Sequence, residues 1–464
     1  MNLFIELLLF LFAMVAILIR NARIPVNNDL IEASILIENE FITSIGKDLS
    51  VNVDKIINAK SWILLPGGID PHAHIYDPEF YYREDYDSGS RSALIGGITT
   101  VIDMPLVHDI DDVQKLKDRI DIGLRNSRID FAMHGGFMRR VNYGNLKVLA
   151  EQGVKSFKVF TCDPYKASDD VIFKLMKDAK ITNSVLTFHA EDGALLNEIL
   201  DSLKNRKDIV AVHKARPPEA EELAIIKVGL YSAAIGSTVH VAHISSSLGV
   251  RAIDDLKNRK VDVTSETTPH HLTFTIKDVE KLGPYLKVAP SLKGERDREE
   301  LWNGLRRGVI DMVATDHAPC PKEEKDIGWE DPWKAWSGIP GLATLIPLLF
   351  TNGLLKNRLT IKRFVELVST AAAERFGLRY KGKLTPGYHA DMILVDPKEG
   401  KKVTGELYRS SWTPYEGMVL RGWPKMVLLR GHVVVEDGVV CAKPGYGRFI
   451  KMERSPLNIE PLKA

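Results

Sequence analysis

Residues Leu64 to Pro78 read LLPGGIDPHAHIYDP, and this stretch decides the fold. An apolar run ends at Asp70, and His72 and His74 follow two positions apart. Alternate residues of an extended strand share a face, so the two imidazoles converge just past a buried strand. Two converging neutral imidazoles form a ready metal chelate. Taken alone, the same pair also reads as ordinary hydrogen-bonded histidines of a core or surface. The residues downstream decide between these readings.

Outward from this point the texture of the chain changes. From Gly67 onward, apolar strand candidates alternate with helix-like segments: ITTVIDMP, DFAMHGG, KSFKVFT, VLTFHAED, TVHVAHIS, VDVTSETTPHH and DMVATDHAP. Between them lie amphipathic stretches such as DDVQKLKDRIDIGL and DREELWNGLRRG. Repeated strand–helix alternation implies a parallel sheet. About eight such units suit an α/β fold of the TIM (β/α)8 barrel type. The flanks are β-rich: AILIRNARI and EASILIENEFITSIG before the barrel, ADMILVDP and KMVLLRGHVVVEDGVV after it. The expected division is a barrel over residues 67–384, a small β-sandwich built from 14–66 together with 385–450, and a C-terminal tail at 451–464.

The charge balance of 62 basic against 61 acidic side chains gives no electrostatic case for nucleic acid or an anionic membrane surface. Cys162, Cys320 and Cys441 are widely separated and form no C-x-x-C pair, so a disulfide framework is not expected and a reducing, cytoplasmic location is. Leu3 to Ile19 is apolar apart from Glu6, about the length of a marginal membrane span. No Lys or Arg precedes this run and no A-x-A site follows it, which disfavours a signal peptide. The favoured reading starts the natural chain at Met14 and makes residues 1–13 an apolar extension, with no membrane partner.

Chemically capable residues recur at the ends of the barrel strands, where such enzymes place their active sites. After His72 and His74 come Lys158 in SFKVF, His189 in TFHAED, His243 in VAHIS and Asp316 in ATDHAP. Each has a plain alternative: a satisfied histidine, a salt-bridged lysine, or a helix N-cap for Asp316. Four histidines, a lysine and an aspartate in barrel order together read as a metal site.

At this point the chain resembles the cyclic amidohydrolases: allantoinases, hydantoinases and dihydroorotases of the amidohydrolase superfamily. The resemblance runs from about Ala16 to Arg448 and is carried by GGIDPHAH, GGITTVIDMP, SFKVF, HAEDG, RPPEAE, AHIS, ETTPHHL, ATDHAPC, GIPGL, LTPGYHADMILVDP and SSWTPYEG. It implies a barrel with a β-sandwich formed by both chain ends. It also implies two divalent ions, usually zinc. His72, His74 and Asp316 would hold the first ion, and His189 and His243 the second. Lys158 would bridge both as a carbamate formed with carbon dioxide. A protonated ammonium has no lone pair and repels cations, whereas a carbamate is anionic with two oxygens. The implied reaction is hydrolytic opening of a cyclic amide or ureide by water activated between the ions, with Asp316 shuttling the proton. Ala289 in VAPSLK and Ser337 in WSGIPG would recognise the ring amide through their backbones. A homodimer or homotetramer is also implied. Some relatives are non-enzymatic assembly proteins that have lost ligands; all six ligand positions are filled here, which argues for an enzyme.

Substrate signals divide. Dihydroorotases follow the first histidine pair with Phe-Arg and place Asn after the later Met-Pro, two groups that hold a substrate carboxylate. Here Ile75 and Tyr76 follow His74, and Leu106 follows Pro105. IDMPL, DHAPC and KAWSGI resemble allantoinase wording. The expectation is allantoin or a related hydantoin-type ring, with dihydroorotate as the alternative and Arg83 or Lys293 as substitute carboxylate contacts.

Overall fold

The structure is a computed structural model that describes residues 16–106 and 109–454; the apolar extension at 1–13 and most of the expected tail lie outside the described residues. Five strands open the chain: β1 (Ala16–Val26), β2 (Asp29–Glu38), β3 (Phe41–Gly46), β4 (Lys55–Asn58) and β5 (Ile63–Pro66). Ile17 and Ile19 of β1 share a core with Ala22 and Ile24, although their parity differs. A register irregularity between Ile19 and Ala22, with Asn21 at φ 58°, returns the apolar residues to the same face.

Eight strands run in parallel after these: β6 (Gly68–Ala73), β7 (Ile98–Asp103), β8 (Asp130–Met133), β9 (Ser156–Phe160), β10 (Val185–His189), β11 (Thr238–Val241), β12 (Val263–Thr267) and β13 (Met312–Val313). β6, β7 and β8 form one parallel sheet, and β9 through β13 form another in chain order. Single parallel bridges join Gly135 to Phe157 and Ala73 to His317, so each sheet touches the other at both ends. These strands are almost wholly buried, as expected when helices cover a parallel sheet. Helix Val113–Asn126 shows the cover: Asp112 caps it by accepting from the Lys115 backbone, and Leu116 and Gly123 face inward. A Cβ on Gly123 would lie 2.4 Å from the Phe131 ring, so glycine lets this helix press against β8.

The chain returns to the first sheet through β14 (Met392–Val395). β15 (Gly400–Lys402) and β16 (Val419–Arg421) pair separately, and β17 (Pro424–Leu429), β18 (His432–Glu436) and β19 (Val439–Val440) complete the end. The large sheet has the order β19-β18-β17-β14-β5-β1-β2-β3, with β4 beside β1. Antiparallel pairing of β5 with β14 therefore joins the two chain ends at its middle. A buried ion cluster ties this sheet to the parallel strands. Lys381 Nζ donates to Asp130 Oδ2 at 2.8 Å and to Asp391 Oδ2 at 2.5 Å, and Arg430 donates to Asp130. Within the expected tail, the Met452 and Glu453 amides donate to the Gly153 and Gly377 carbonyls. Among the described residues, no helix is long and apolar enough to cross a membrane.

Candidate active site

The strand order brings the predicted residues to one end of the parallel strands. His72 lies in β6, and His74 follows it directly. Lys158 lies within β9, and His189 ends β10. His243 and Asp316 stand just past β11 and β13, at φ 39° and 48°. Non-glycine residues in this left-handed region carry backbone strain, which tends to persist where a site requires it. No helix starts at Asp316; the next helix, Lys322–Asp326, is capped by Pro321. The N-cap reading of Asp316 therefore has no support.

All six residues, together with Ala289 and Ser337, line one cavity of about 390 Å³. Asp316 Oδ1 lies 3.3 Å from His72 Nε2 and 3.1 Å from His74 Nε2. Across the cavity, His189 Nδ1 faces His243 Nε2 at 3.1 Å. The ligand-capable atoms of His72, His74 and Asp316 all lie within 4.8 Å of one another.

The outer nitrogens of three histidines settle their tautomers. His72 Nδ1 donates to Glu266 Oε1 at 2.5 Å, and His74 Nδ1 donates to the Met104 carbonyl at 2.8 Å. His189 Nε2 donates to Glu191 Oε2 at 2.7 Å. Each acceptor fixes the proton on the outer nitrogen and leaves the inner one with a lone pair. His72 Nε2 is buried with no hydrogen-bond partner, as is His243 Nδ1. A cation held between the inner nitrogens would satisfy the unpartnered His72 Nε2. The donor set, imidazoles with one carboxylate, suits a divalent ion.

Electrostatics support this arrangement. Burial lowers the His72, His189 and His243 imidazoles below their usual range, which keeps them neutral and able to ligate. Burial also pulls the Lys158 ammonium down to about 8. Burial alone would raise Glu266, but the neighbouring His72 and His240 imidazoles, hydrogen-bonded to its two oxygens, outweigh it and hold it well below the carboxylate range.

Several contributors had no role in the sequence reading. Glu191 and Glu266 stand inside HAEDG and ETTPHHL and orient the histidines. Asp70 accepts from the Thr315 amide at 3.1 Å and from its hydroxyl, which fixes the residue before Asp316. Arg216 and Phe160 also line the cavity, as does Leu106, which the substrate argument had singled out. The substitute carboxylate contacts do not line it. Arg83 pairs with Glu324 at 2.7 Å and stacks on Trp336, and Lys293 Nζ donates to Ser291 and to the Arg216 carbonyl. Trp336 walls the cavity, while Trp333 faces a neighbouring space.

Comparison with known proteins defines the class. Residues 63–434 match the model of the Amidohydrolase family. A dihydroorotase of Methanosarcina mazei is 35% identical over 93% of this chain and 97% of its own length. An allantoinase of Rubrobacter xylanophilus is 34% identical over 91% of this chain and 94% of its own. The solved structure of the L-hydantoinase (dihydropyrimidinase) from Arthrobacter aurescens superimposes with a TM-score of 0.91 at 30% identity, covering 94% and 99% of the two chains. The chain belongs to the amidohydrolase family. It is a hydrolase of amide bonds, in a family that generally uses a binuclear metal centre.

Proposed function

We propose that the protein opens a neutral cyclic ureide of the hydantoin type, the class that includes allantoin. The observation that carries this reading is the convergence of His72, His74, Lys158, His189, His243 and Asp316 on one cavity, with the outer nitrogens of three histidines held by partners outside it. His72, His74 and Asp316 would hold one ion and His189 and His243 a second, both zinc in this reading. Lys158 would join them as a carbamate. Bound there, the ions would supply Lewis-acid polarisation and acidify water. Asp316 takes the proton from the attacking water and passes it to the departing ring nitrogen. The backbones at Ala289 and Ser337 orient the ring amide. Trp336, pinned by Arg83, shields one wall from water.

The preference for a neutral ring rests on Leu106, an apolar residue lining the cavity where a carboxylate contact was sought. Burying an unpaired carboxylate there would be costly. A carboxylated ring such as dihydroorotate is the second reading, favoured by one observation: Arg216 and Lys334 also line the cavity. The test compares kcat/KM for allantoin, hydantoin, dihydrouracil and dihydroorotate on metal-loaded enzyme. The neutral rings should lead, and a clear preference for dihydroorotate would overturn the assignment.

The same reading closes the eight parallel strands into a (β/α)8 barrel over residues 67–384, supported by the Gly135–Phe157 and Ala73–His317 bridges. It makes residues 14–66 and 385–450 one β-sandwich domain, and residues 451–464 a tail. A cytoplasmic homodimer or homotetramer completes it. Support for the assembly comes from helix Pro218–Ile235, whose Leu223, Ile226 and Leu230 are exposed. Sedimentation as a strict monomer would refute the assembly.

A further inference from the structure

Lys334, Ala335, Trp336, Ser337 and Gly338 follow one another along a single loop, and all of them line the cavity that gathers the histidines. They stand outside any helix or strand. A loop of this kind is ordinarily a mobile part of a fold. Two buried lysines hold this one. Lys325, in helix Lys322–Asp326, is fully buried, and Lys287 is 8% exposed.

Lys287 Nζ donates to the carbonyls of Pro332, Trp333 and Ala335 at 2.9, 2.7 and 2.7 Å. A lysine ammonium has three donors, and here all of them go to the loop. Lys325 Nζ donates to the Trp336 carbonyl at 2.8 Å and to the Lys287 carbonyl at 3.0 Å. The same Lys287 carbonyl accepts from the Gly338 amide at 3.0 Å. The acceptors around both ammonium groups are thus backbone carbonyls. Burying an ammonium is costly unless hydrogen bonds replace its water, so each cation and its carbonyls hold one another in place.

The Lys325 contact reaches through to the cavity side. The Trp336–Ser337 bond is trans. Across a trans peptide the carbonyl and the following N–H point in opposite directions. Lys325 draws the Trp336 carbonyl inward, which turns the Ser337 N–H outward, where Ser337 is exposed and lines the cavity. Among the described residues, none accepts a hydrogen bond from that N–H. The ammonium also polarises the peptide it grips, because linked hydrogen bonds strengthen one another.

We propose that Lys325 is a positioning residue: it fixes the Trp336–Ser337 peptide so that the Ser337 N–H is presented to a carbonyl oxygen of the cyclic amide, with Lys287 bracing the residues just before. The inference rests on the ring-opening reading and deepens it. Neither lysine touches the substrate. Both keep the loop ordered in advance, so that binding does not have to order it.

The test is steady-state kinetics on metal-loaded enzyme, with whichever of allantoin, hydantoin, dihydrouracil and dihydroorotate the wild type opens fastest. Lys325→Met keeps the length of the side chain and removes its donors. Loss of a contact made equally in ground and transition states appears in KM and not in kcat. KM should rise roughly tenfold, the effect of one hydrogen bond. Turnover number should fall by less than about threefold, with metal content as in the wild type. Ser337→Pro deletes the N–H itself at an exposed position and should raise KM by a similar factor, so it decides the matter should Lys325→Met fail to fold. The two losses should not add in the double variant, because both remove one contact. An unchanged KM in Ser337→Pro, additive losses, or a folded Lys325→Met that loses metal and kcat at constant KM would overturn the positioning role and leave ring opening standing. Inactivity of the wild type on all four rings would overturn ring opening and the positioning role with it.

Discussion

Glu266 accepts a hydrogen bond from His72 Nδ1 at 2.5 Å, and its second oxygen lies 3.1 Å from His240 Nε2. One buried carboxylate thus sets the tautomer of His72 from outside the cavity. Glu266→Gln keeps the shape and removes the charge. Loss of such an outer partner typically lowers metal affinity about 10- to 100-fold. Competition against a graded chelator should show this, with the fold intact by circular dichroism. Unchanged affinity would mean that Glu266 only packs.

Lys158→Ala should abolish measurable turnover and lower metal content, because Lys158 lines the cavity between the two histidine pairs. Short carboxylic acids such as acetate should restore part of the activity by supplying two oxygens in its place. Full activity of the variant without additives would refute the bridging role.

Lys158 also sets a pH dependence. Only the neutral amine reacts with carbon dioxide, and burial places its pKa at about 8. The reactive fraction therefore grows as pH rises through that value, roughly tenfold between pH 7 and 9. The initial rate of carbon dioxide uptake by metal-free protein, followed by carbon-13 NMR at fixed dissolved carbon dioxide, should follow this rise and level off above it. An uptake rate still climbing steeply at pH 10 would indicate an ordinary lysine.

Asp130 serves stability instead of chemistry. It receives Lys381 and Arg430 in a fully buried cluster. Asp130→Ala removes the nearest carboxylate from Arg430, leaves Lys381 with Asp391 alone and should cost about 3–5 kcal/mol. The denaturant midpoint should drop accordingly. A loss below about 1 kcal/mol would show that water or Asp391 compensates.

Much of this was legible in the chain itself. Strand–helix alternation marked each of the eight parallel strands, because a buried strand ending in a polar residue leaves a local signature. His72, His74, Lys158, His189, His243 and Asp316 sit at or near such ends, and the fold gathers them into one cavity. The outer partners were less visible. Glu191 and Glu266 lie in quoted motifs, but which nitrogen each one meets depends on side-chain directions across separate strands. Arg216 was hidden for a related reason: it stands between helices Ile209–Lys214 and Pro218–Ile235, where nothing in the local pattern points toward the cavity. Arg83 and Lys293 had the right charge, yet nearer partners claimed them.

The pairing of Leu65 with Ile393 has a consequence for how the protein is made. These residues meet at the middle of the large sheet, yet the ribosome delivers them roughly 330 residues apart. At about 5–20 residues per second, that is a wait of roughly 16 to 66 s. Throughout it, β5 presents an apolar strand edge with no partner, the kind of edge that recruits neighbouring chains. A transcript broken anywhere before β14 yields a chain that lacks one half of its sheet, from β14 at the centre to β19 at the rim. Such products are natural clients of chaperones and proteases, and quality control of this enzyme falls on the last strands synthesised.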